Sequence, residues 1–358
     1  MLLRVTLLLV VMVVPSASRA QSTACSASRP WTVQPKPILT IGELEGAPEY
    51  LFSRVPGLLT LRDSTIVIAN GNPRELRHYT YKGRHLFSFG RTGEGPGEFR
   101  TILGVIRLPG DSLLVHDMMQ MRTLPLFSSQ GKYLRNVPVS VGAANVLRMY
   151  HLAESKLVLV TGTGLRIGEG RDSLAVFIHD LASSKTARLG TFAGMDQNIQ
   201  PTERGTRTKM IRYARGLASA AGSGHIFLAD TEKEQIRVFD AEGRLLRSFG
   251  SGRLGALVTA DDKKVYLTRD PNATFRANKP FFGDFLVDLQ GNLWAQHYQR
   301  PNLHAPHNWD IYDSRGNRLC SVITPADHKL YEIGRDYILA VSTDEFGVER
   351  VVKLALRK

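Results

Sequence analysis

The sequence predicts an all-β protein, a six-bladed β-propeller whose ring is closed by an amino-terminal strand joining the carboxyl-terminal blade. Three observations point there. Apolar runs of strand length recur along the chain: TIVIAN at 65, SLLVHD at 112, KLVLVTG at 156, HIFLAD at 225, NLWAQHY at 292 and DYILAVST at 336. A strand–turn–strand unit follows, as in HYTYKGRHLFSFG at 78, LPLFSSQGKYLRNV at 124, IRVFDAEGRLLRSFG at 236 and WDIYDSRGNRLCSV at 309. A glycine-rich stretch, SFGRTGEGPGEF at 88 with partial copies at 40 and 248, then leads into the next unit. Short strands repeated at this period are the pattern of radially arranged blades.

The first twenty residues stand outside that pattern. Arg4 precedes an apolar run from Val5 to Val14, Pro15 breaks it, and Ser18-Arg19-Ala20 offers a small-x-small cleavage site. This reads as a secretory signal peptide, and the run is too short to span a bilayer. Residues 21–36 read as a tail, and 37–358 as a single propeller domain with no transmembrane segment in the mature chain. The expected location is periplasmic or extracellular. Loss of Arg4 and Arg19 lowers the formal charge from +13 to +11. A basic exported protein can meet anionic envelope polymers, lipid head groups or acidic ligands; diffuse solubilising charge is the other reading. No nucleic-acid-binding motif is present. Two cysteines, Cys25 and Cys320, remain. Export makes a disulfide between them chemically feasible, while Ser22-Thr23-Ala24 lacks the leucine that opens a lipid-attachment motif.

The strand runs are nearly continuous in apolar residues, as expected of strands buried on both faces between stacked sheets. The pairs Lys82-Gly83, Gln130-Gly131, Glu242-Gly243 and Arg315-Gly316 mark hairpins, where glycine supplies the positive φ of a two-residue turn. The unit FIHDLASSKTARLG at 177 has no such glycine. GRTGEGPGEF reads as a blade-to-blade crossover that Phe99 pins to the core. A phosphate loop would be followed by a helix, and GVIRLPGDSLLV follows instead. The blades fall near 53–90, 100–139, 144–190, 210–250, 280–323 and 328–358, the last completed by a strand near 37–42. Residues 255–280, with KVYLT and FRANKPFF, form either a long crossover or an additional blade. Long amphipathic helices are not expected.

The unit GHIFLADTEKEQIRVFDAEGRLLRSFG at 224–250 resembles the NHL repeat, through Gly224, Ala229, Asp230, Arg237, Phe239, Asp240 and Gly243. An asparagine usual in the polar loop is missing; Glu234 and Gln235 sit nearby. LVDLQGNLWAQHY and STDEFGVERV extend a resemblance to exported bacterial six-bladed propellers of the NHL and TolB-like group over roughly residues 37–358. That resemblance implies a fold more than an activity, since such propellers serve as binding scaffolds, lactonases and lyases.

In a propeller the crossovers and the second-to-third-strand loops share one face. Arg91, Glu94, Arg100, Arg212, Arg215, Arg276 and Arg300 fall there. Arg100, Arg212, Arg215, Arg276 and Arg300 are candidate ligand-binding residues, because a guanidinium fork suits carboxylate or phosphate. His297, His304 and His307 cluster in one expected loop. His304 and His307 are candidate transition-metal ligands. Asp117 and Asp230, with Asn70, end second strands and are candidate calcium ligands; the structural reading is that they cap turn amides. His116 is a further imidazole in reach, while His225 starts a strand on the opposite rim. Met118, Met119 and Met121 read as gap-filling apolar side chains. There is no GxSxG elbow and no HExxH pair. The expected function is a binding or interaction module with its ligand, a protein, a carbohydrate or an anionic envelope component, on the crossover face. No cofactor is expected on that reading. The alternative is a hydrolase, lactonase-like, or a lyase using calcium or zinc at the axial channel.

Overall fold

The computed structural model describes Cys25 and residues 30–120, 122–142, 145–163, 167–203, 205–209, 211–300 and 304–358. The expected signal peptide and Met121 lie outside the described residues. Six antiparallel sheets of four or five strands follow one another along the chain, together with two two-stranded parallel ribbons. Sheet 1 comprises Gly57–Thr60, Ile66–Gly71, Arg74–Tyr79 and His85–Phe89, hydrogen-bonded in chain order. Sheet 2 begins at Ile102–Arg107, sheet 3 at Val146–Ala153, sheet 4 at Leu217–Gly222, sheet 5 at Phe282–Val287 and sheet 6 at His328–Ile333. Each opening strand touches the opening strands of the preceding and following sheets, and that of sheet 6 touches that of sheet 1. All six line a cavity of about 390 Å³ between them. The architecture is consistent with a β-propeller.

The core explains the apolar runs. It is divided into six clusters, each filling the space between two successive sheets, with the last between sheets 6 and 1. Successive side chains of a strand point to opposite faces. So Val67 and Ala69 pack toward sheet 2, while Ile66 and Ile68 pack toward sheet 6. Both faces are dry, and a strict apolar–polar alternation would leave polar groups without water.

Sheet 6 contains His328–Ile333, Tyr337–Thr343 and Glu349–Arg357. Its outer edge is supplied by the amino terminus: Thr32–Val33 and Leu39–Ile41 both pair antiparallel with Glu349–Arg357. Cys25 and Cys320 are disulfide-bonded, with 5.4 Å between their Cα atoms. This ties the amino-terminal segment to the outer strand of sheet 5.

The hairpin glycines have positive φ, 82° at Gly83, 75° at Gly131, 84° at Gly243 and 84° at Gly316. The turns are longer than the two-residue type expected. At Asp240 the amide of Gly243 reaches the Asp240 carbonyl, the Asp240 amide reaches that of Arg244, and the pairing register shifts at Val238/Phe239. This is a turn followed by a left-handed glycine in a bulge. The Asp240 carboxylate also accepts from the amides of Glu242 and Arg244.

The crossover at 90–101 matches its reading. Phe99 is fully buried against Phe89 and Phe127. Gly90 sits at φ 74°, and a Cβ there would stand 2.2 Å from the Phe99 ring. Two expectations need correcting. Sheet 3 does not stop at 190: its strands Gly168–Asp180 and Thr186–Thr202 run far past the sheet edge, and Gly205–Lys209 adds a fifth strand. Residues 255–280 form a long crossover between sheets 4 and 5. KVYLT is not a strand, because the helix Ala260–Leu267 contains its start. Thr259 and Asp262 bond reciprocally as a capping box at its amino end. Thr274–Phe275 pairs in parallel with Ile211–Arg212.

Candidate functional site

A cavity of about 800 Å³ opens on the end where crossovers and second-to-third-strand loops lie. Sheets 3, 4 and 5 build it. Leu147 and Arg148 come from the opening strand of sheet 3, and Gly283 and Asp284 from that of sheet 5. The overlong hairpin of sheet 3 contributes Asp172, Leu174 and Met195. The segment entering sheet 4 adds Ala214, Arg215 and Gly216. The loop of sheet 5 adds Tyr298, Gln299, Arg300, His304 and His307. The extension that departs from the blade pattern is therefore what deepens this cavity.

One carboxylate braces the wall. Asp196, from the hairpin, has a fully buried side chain. It accepts from the Arg215 backbone amide at 2.7 Å, from Arg215 Nε at 3.1 Å and Nη2 at 3.0 Å, and from Arg276 Nη2. Burial raises the Asp196 carboxyl, but the bonds from Arg215 and Arg276 outweigh this and hold it below the usual carboxylate range. Arg215 also bonds Glu232 at 2.9 Å. Hairpin, segment and long crossover thus meet at a single acid.

Tyr213, Tyr266, Phe275 and Tyr298 form an aromatic cluster beside it, with ring centroids 5.8–6.5 Å apart. Arg212 lies over the Tyr266 ring at 4.8 Å, and Arg300 lies against the Tyr213 hydroxyl. Arg148 Nη1 donates to the Leu217 carbonyl at 2.7 Å and to Ser219 Oγ at 3.0 Å. Asp172 differs from Asp196. Burial pushes its carboxyl above the usual range, and its Oδ1 is buried without a hydrogen-bond partner among the described residues. That oxygen lies where a Cβ of residue 194 would be, 1.9 Å away, so Gly194 is the residue that admits it.

The residues expected from sequence are divided by this geometry. Arg215, Arg300, His304 and His307 line the cavity. Arg276 and Arg212 stand behind its wall, on Asp196 and Tyr266. Arg100 pairs with Glu94 at 3.3 Å, and Arg91 with Glu98 at 2.6 Å, on the crossover between sheets 1 and 2. The expected basic face is thus substantially neutralised: Arg100, Arg215 and Arg276 each hold a carboxylate.

Asp117 accepts from the amides of Arg100, Thr101 and Met119 at 2.7–3.0 Å, the turn-capping role. Asp230 holds Arg171 through both oxygens, at 2.6 and 3.1 Å. Asn70 accepts from Ser53 and donates to the Pro73 carbonyl. His304 Nδ1 faces Asp327 at 2.7 Å, and His307 Nε2 faces the Ala326 carbonyl at 2.8 Å. His297 meets Asp310 at 2.9 Å, and His116 is buried with Nε2 on the Val146 carbonyl. Among the described residues no three His, Cys, Asp or Glu side chains converge as a metal site requires. Asp117 and Asp230 are not brought together with His304 and His307 in such a group. Met119 is exposed rather than gap-filling. Asp172, Asp196 and Asp284 were missed because a lone acid carries no spacing signal.

No protein-family model matches the chain, and no curated protein matches it in sequence. Solved structures do match in shape. A member of the DUF4221 family from Bacteroides vulgatus is 11% identical, with 92% of this chain and 98% of that chain covered at a TM-score of 0.57. A candidate exported protein from Bacteroides fragilis is 11% identical, with 92% and 96% covered at a TM-score of 0.51. A streptogramin B lyase is 9% identical, with 91% and 98% covered at a TM-score of 0.47. At these identities the likeness concerns the fold alone. Among the described residues no helix is long and apolar enough to cross a membrane.

Proposed function

We propose that the chain is an exported, six-bladed, NHL-like β-propeller spanning residues 37–358. Its function is to bind a ligand in the crossover-face cavity between sheets 3, 4 and 5. The ring reading is supported by core clusters that run from sheet to sheet and return from sheet 6 to sheet 1. It is supported too by the amino-terminal strands that complete sheet 6. The Cys25–Cys320 disulfide fits an oxidising compartment.

The observation that carries the binding reading is the cavity itself. Its volume is that of a small-molecule site. Polar groups from three sheets converge in it, and its walls are braced by buried ion pairs rather than left to loops. Of the arginines expected to bind ligand, Arg300 lines the cavity and Arg215 fixes its wall; His304 and His307, expected as metal ligands, line it too. The metal-dependent hydrolase or lyase reading needs a ligand set, and among the described residues no three His, Cys, Asp or Glu side chains gather to form one.

The test is thermal unfolding of the mature protein against a panel of peptides, uronate oligomers, amino sugars, calcium and zinc. A ligand that binds the folded state raises Tm with concentration. A rise with one organic class, abolished in Ala214→Trp, supports the reading. A rise with a metal alone, retained in Ala214→Trp, argues for the enzyme alternative elsewhere on the ring.

A further inference from the structure

The charges facing the cavity fall into two groups. Arg215 is committed to Asp196 and Glu232. Arg148 and Arg300 make no ion pair among the described residues. Arg148 is fixed by two bonds through Nη1, to the Leu217 carbonyl and Ser219 Oγ, and holds no carboxylate among the described residues. Asp172 and Asp284 also have no ion-pair partner among the described residues, and the Asp284 carboxylate accepts from the Phe285 amide at 2.8 Å. Arg148 and Asp284 both line the cavity, from the opening strands of sheets 3 and 5. Leu147 and Met195, which also line the cavity, present apolar surface, 47% and 59% exposed.

A purely anionic ligand would satisfy the arginines and be repelled by the two carboxylates, and a cation would meet the reverse. Complementarity calls for both signs on one ligand. We propose that the cavity takes a short peptide with free termini. Its carboxylate would sit on the guanidinium forks of Arg148 and Arg300, its ammonium on Asp172 and Asp284, and an apolar side chain on Leu147 and Met195. This rests on the reading of the cavity as the ligand site and narrows the ligand class that the arginines alone suggested.

The test is isothermal calorimetry on the mature protein with a set of free tripeptides bearing apolar, polar and charged side chains. The best binder is then compared with its N-acetyl form, its C-terminal amide and a galacturonate trimer. Each blocked form is expected to bind at least about tenfold more weakly, the loss of one charge-assisted hydrogen bond. Arg148→Gln should copy the amide's loss and no longer distinguish acid from amide. Asp172→Asn should do the same for acetylation. Circular dichroism of both variants checks that they fold. Equal binding of free and blocked peptides overturns the proposal, as does a set in which no tripeptide binds. If the galacturonate trimer binds instead and Ala214→Trp abolishes it, the cavity reading survives and only the peptide assignment falls. If neither class binds, and nothing in the wider panel does, both fall.

Discussion

Asp196→Ala should cost more stability than substitution of any exposed residue on the crossover face. The carboxylate is fully buried and receives four hydrogen-bond donors, three from Arg215 and one from Arg276. Removing it leaves one backbone amide without its acceptor and takes from two guanidiniums their buried carboxylate, Arg215 keeping Glu232 and Arg276 a longer contact with Glu169. Breaking a buried pair by deleting one partner costs about 3–5 kcal/mol, because the remaining charge has no compensation. The side chains of Arg215 and Arg276 are 24% and 26% exposed. They recover some hydration, so the lower end, about 3 kcal/mol, is expected. Asp196→Asn keeps the shape and part of the accepting capacity and should lose about half as much. Urea unfolding followed by tryptophan fluorescence reads the difference as a shift in midpoint at unchanged slope. A loss below about 1 kcal/mol for Asp196→Ala would mean that the network behaves as a surface ion pair. The bracing of the cavity wall would then be wrong.

Acid should remove a defined part of the stability. The Asp310 carboxyl is raised by burial, but bonds from His297, Ser321 and Arg318 bring it down to about 2. Its folded value lies below the unfolded one. Its contribution is therefore present above about pH 4 and lost as pH falls toward 2, and the stability gap between wild type and Asp310→Asn should close over that window. Reduction of Cys25–Cys320 should lower stability by about 2–4 kcal/mol, read as a fall in urea midpoint with dithiothreitol that Cys25→Ser reproduces. Gly90→Ala should cost about 1–3 kcal/mol, since it combines a positive φ with a Cβ driven into Phe99; thermal unfolding is the measurement.

The inner strands were legible because a strand held between stacked sheets buries both faces, and the chain spells that as unbroken runs such as Ile226–Ala229. Turn glycines and Phe99 were legible because each meets a steric demand that few residues satisfy. The helix Ala260–Leu267 was not. Its apolar residues Val265 and Leu267 are exposed, so no periodic face announced it, and only the Thr259/Asp262 capping pair marked its start. The sheet 3 extension was hidden for a similar reason. Residues 201–203 and 205–208 stand in solvent, and such a polar stretch reads as loop. The cavity was legible by face but not by residue. Sequence placed Arg215, Arg300, His304 and His307 on the crossover face, the end where the cavity opens, yet it could not show that Arg215 and Arg276 are spent on Asp196. Nor could it show that Asp172 and Asp284 line the cavity with no ion-pair partner among the described residues. Pairing of charges is a property of the fold, not of spacing along the chain.

The most direct test of the account is native mass spectrometry of the mature protein with the peptide and uronate panel, wild type beside Ala214→Trp. Ala214 lines the cavity, and an indole there fills space without touching the sheet cores. The account predicts a saturable one-to-one adduct with a single ligand class on the wild type and its loss in the variant, with folding unchanged. Adducts that persist in Ala214→Trp, or no adduct from any class, would contradict the claim that this cavity is where the protein acts.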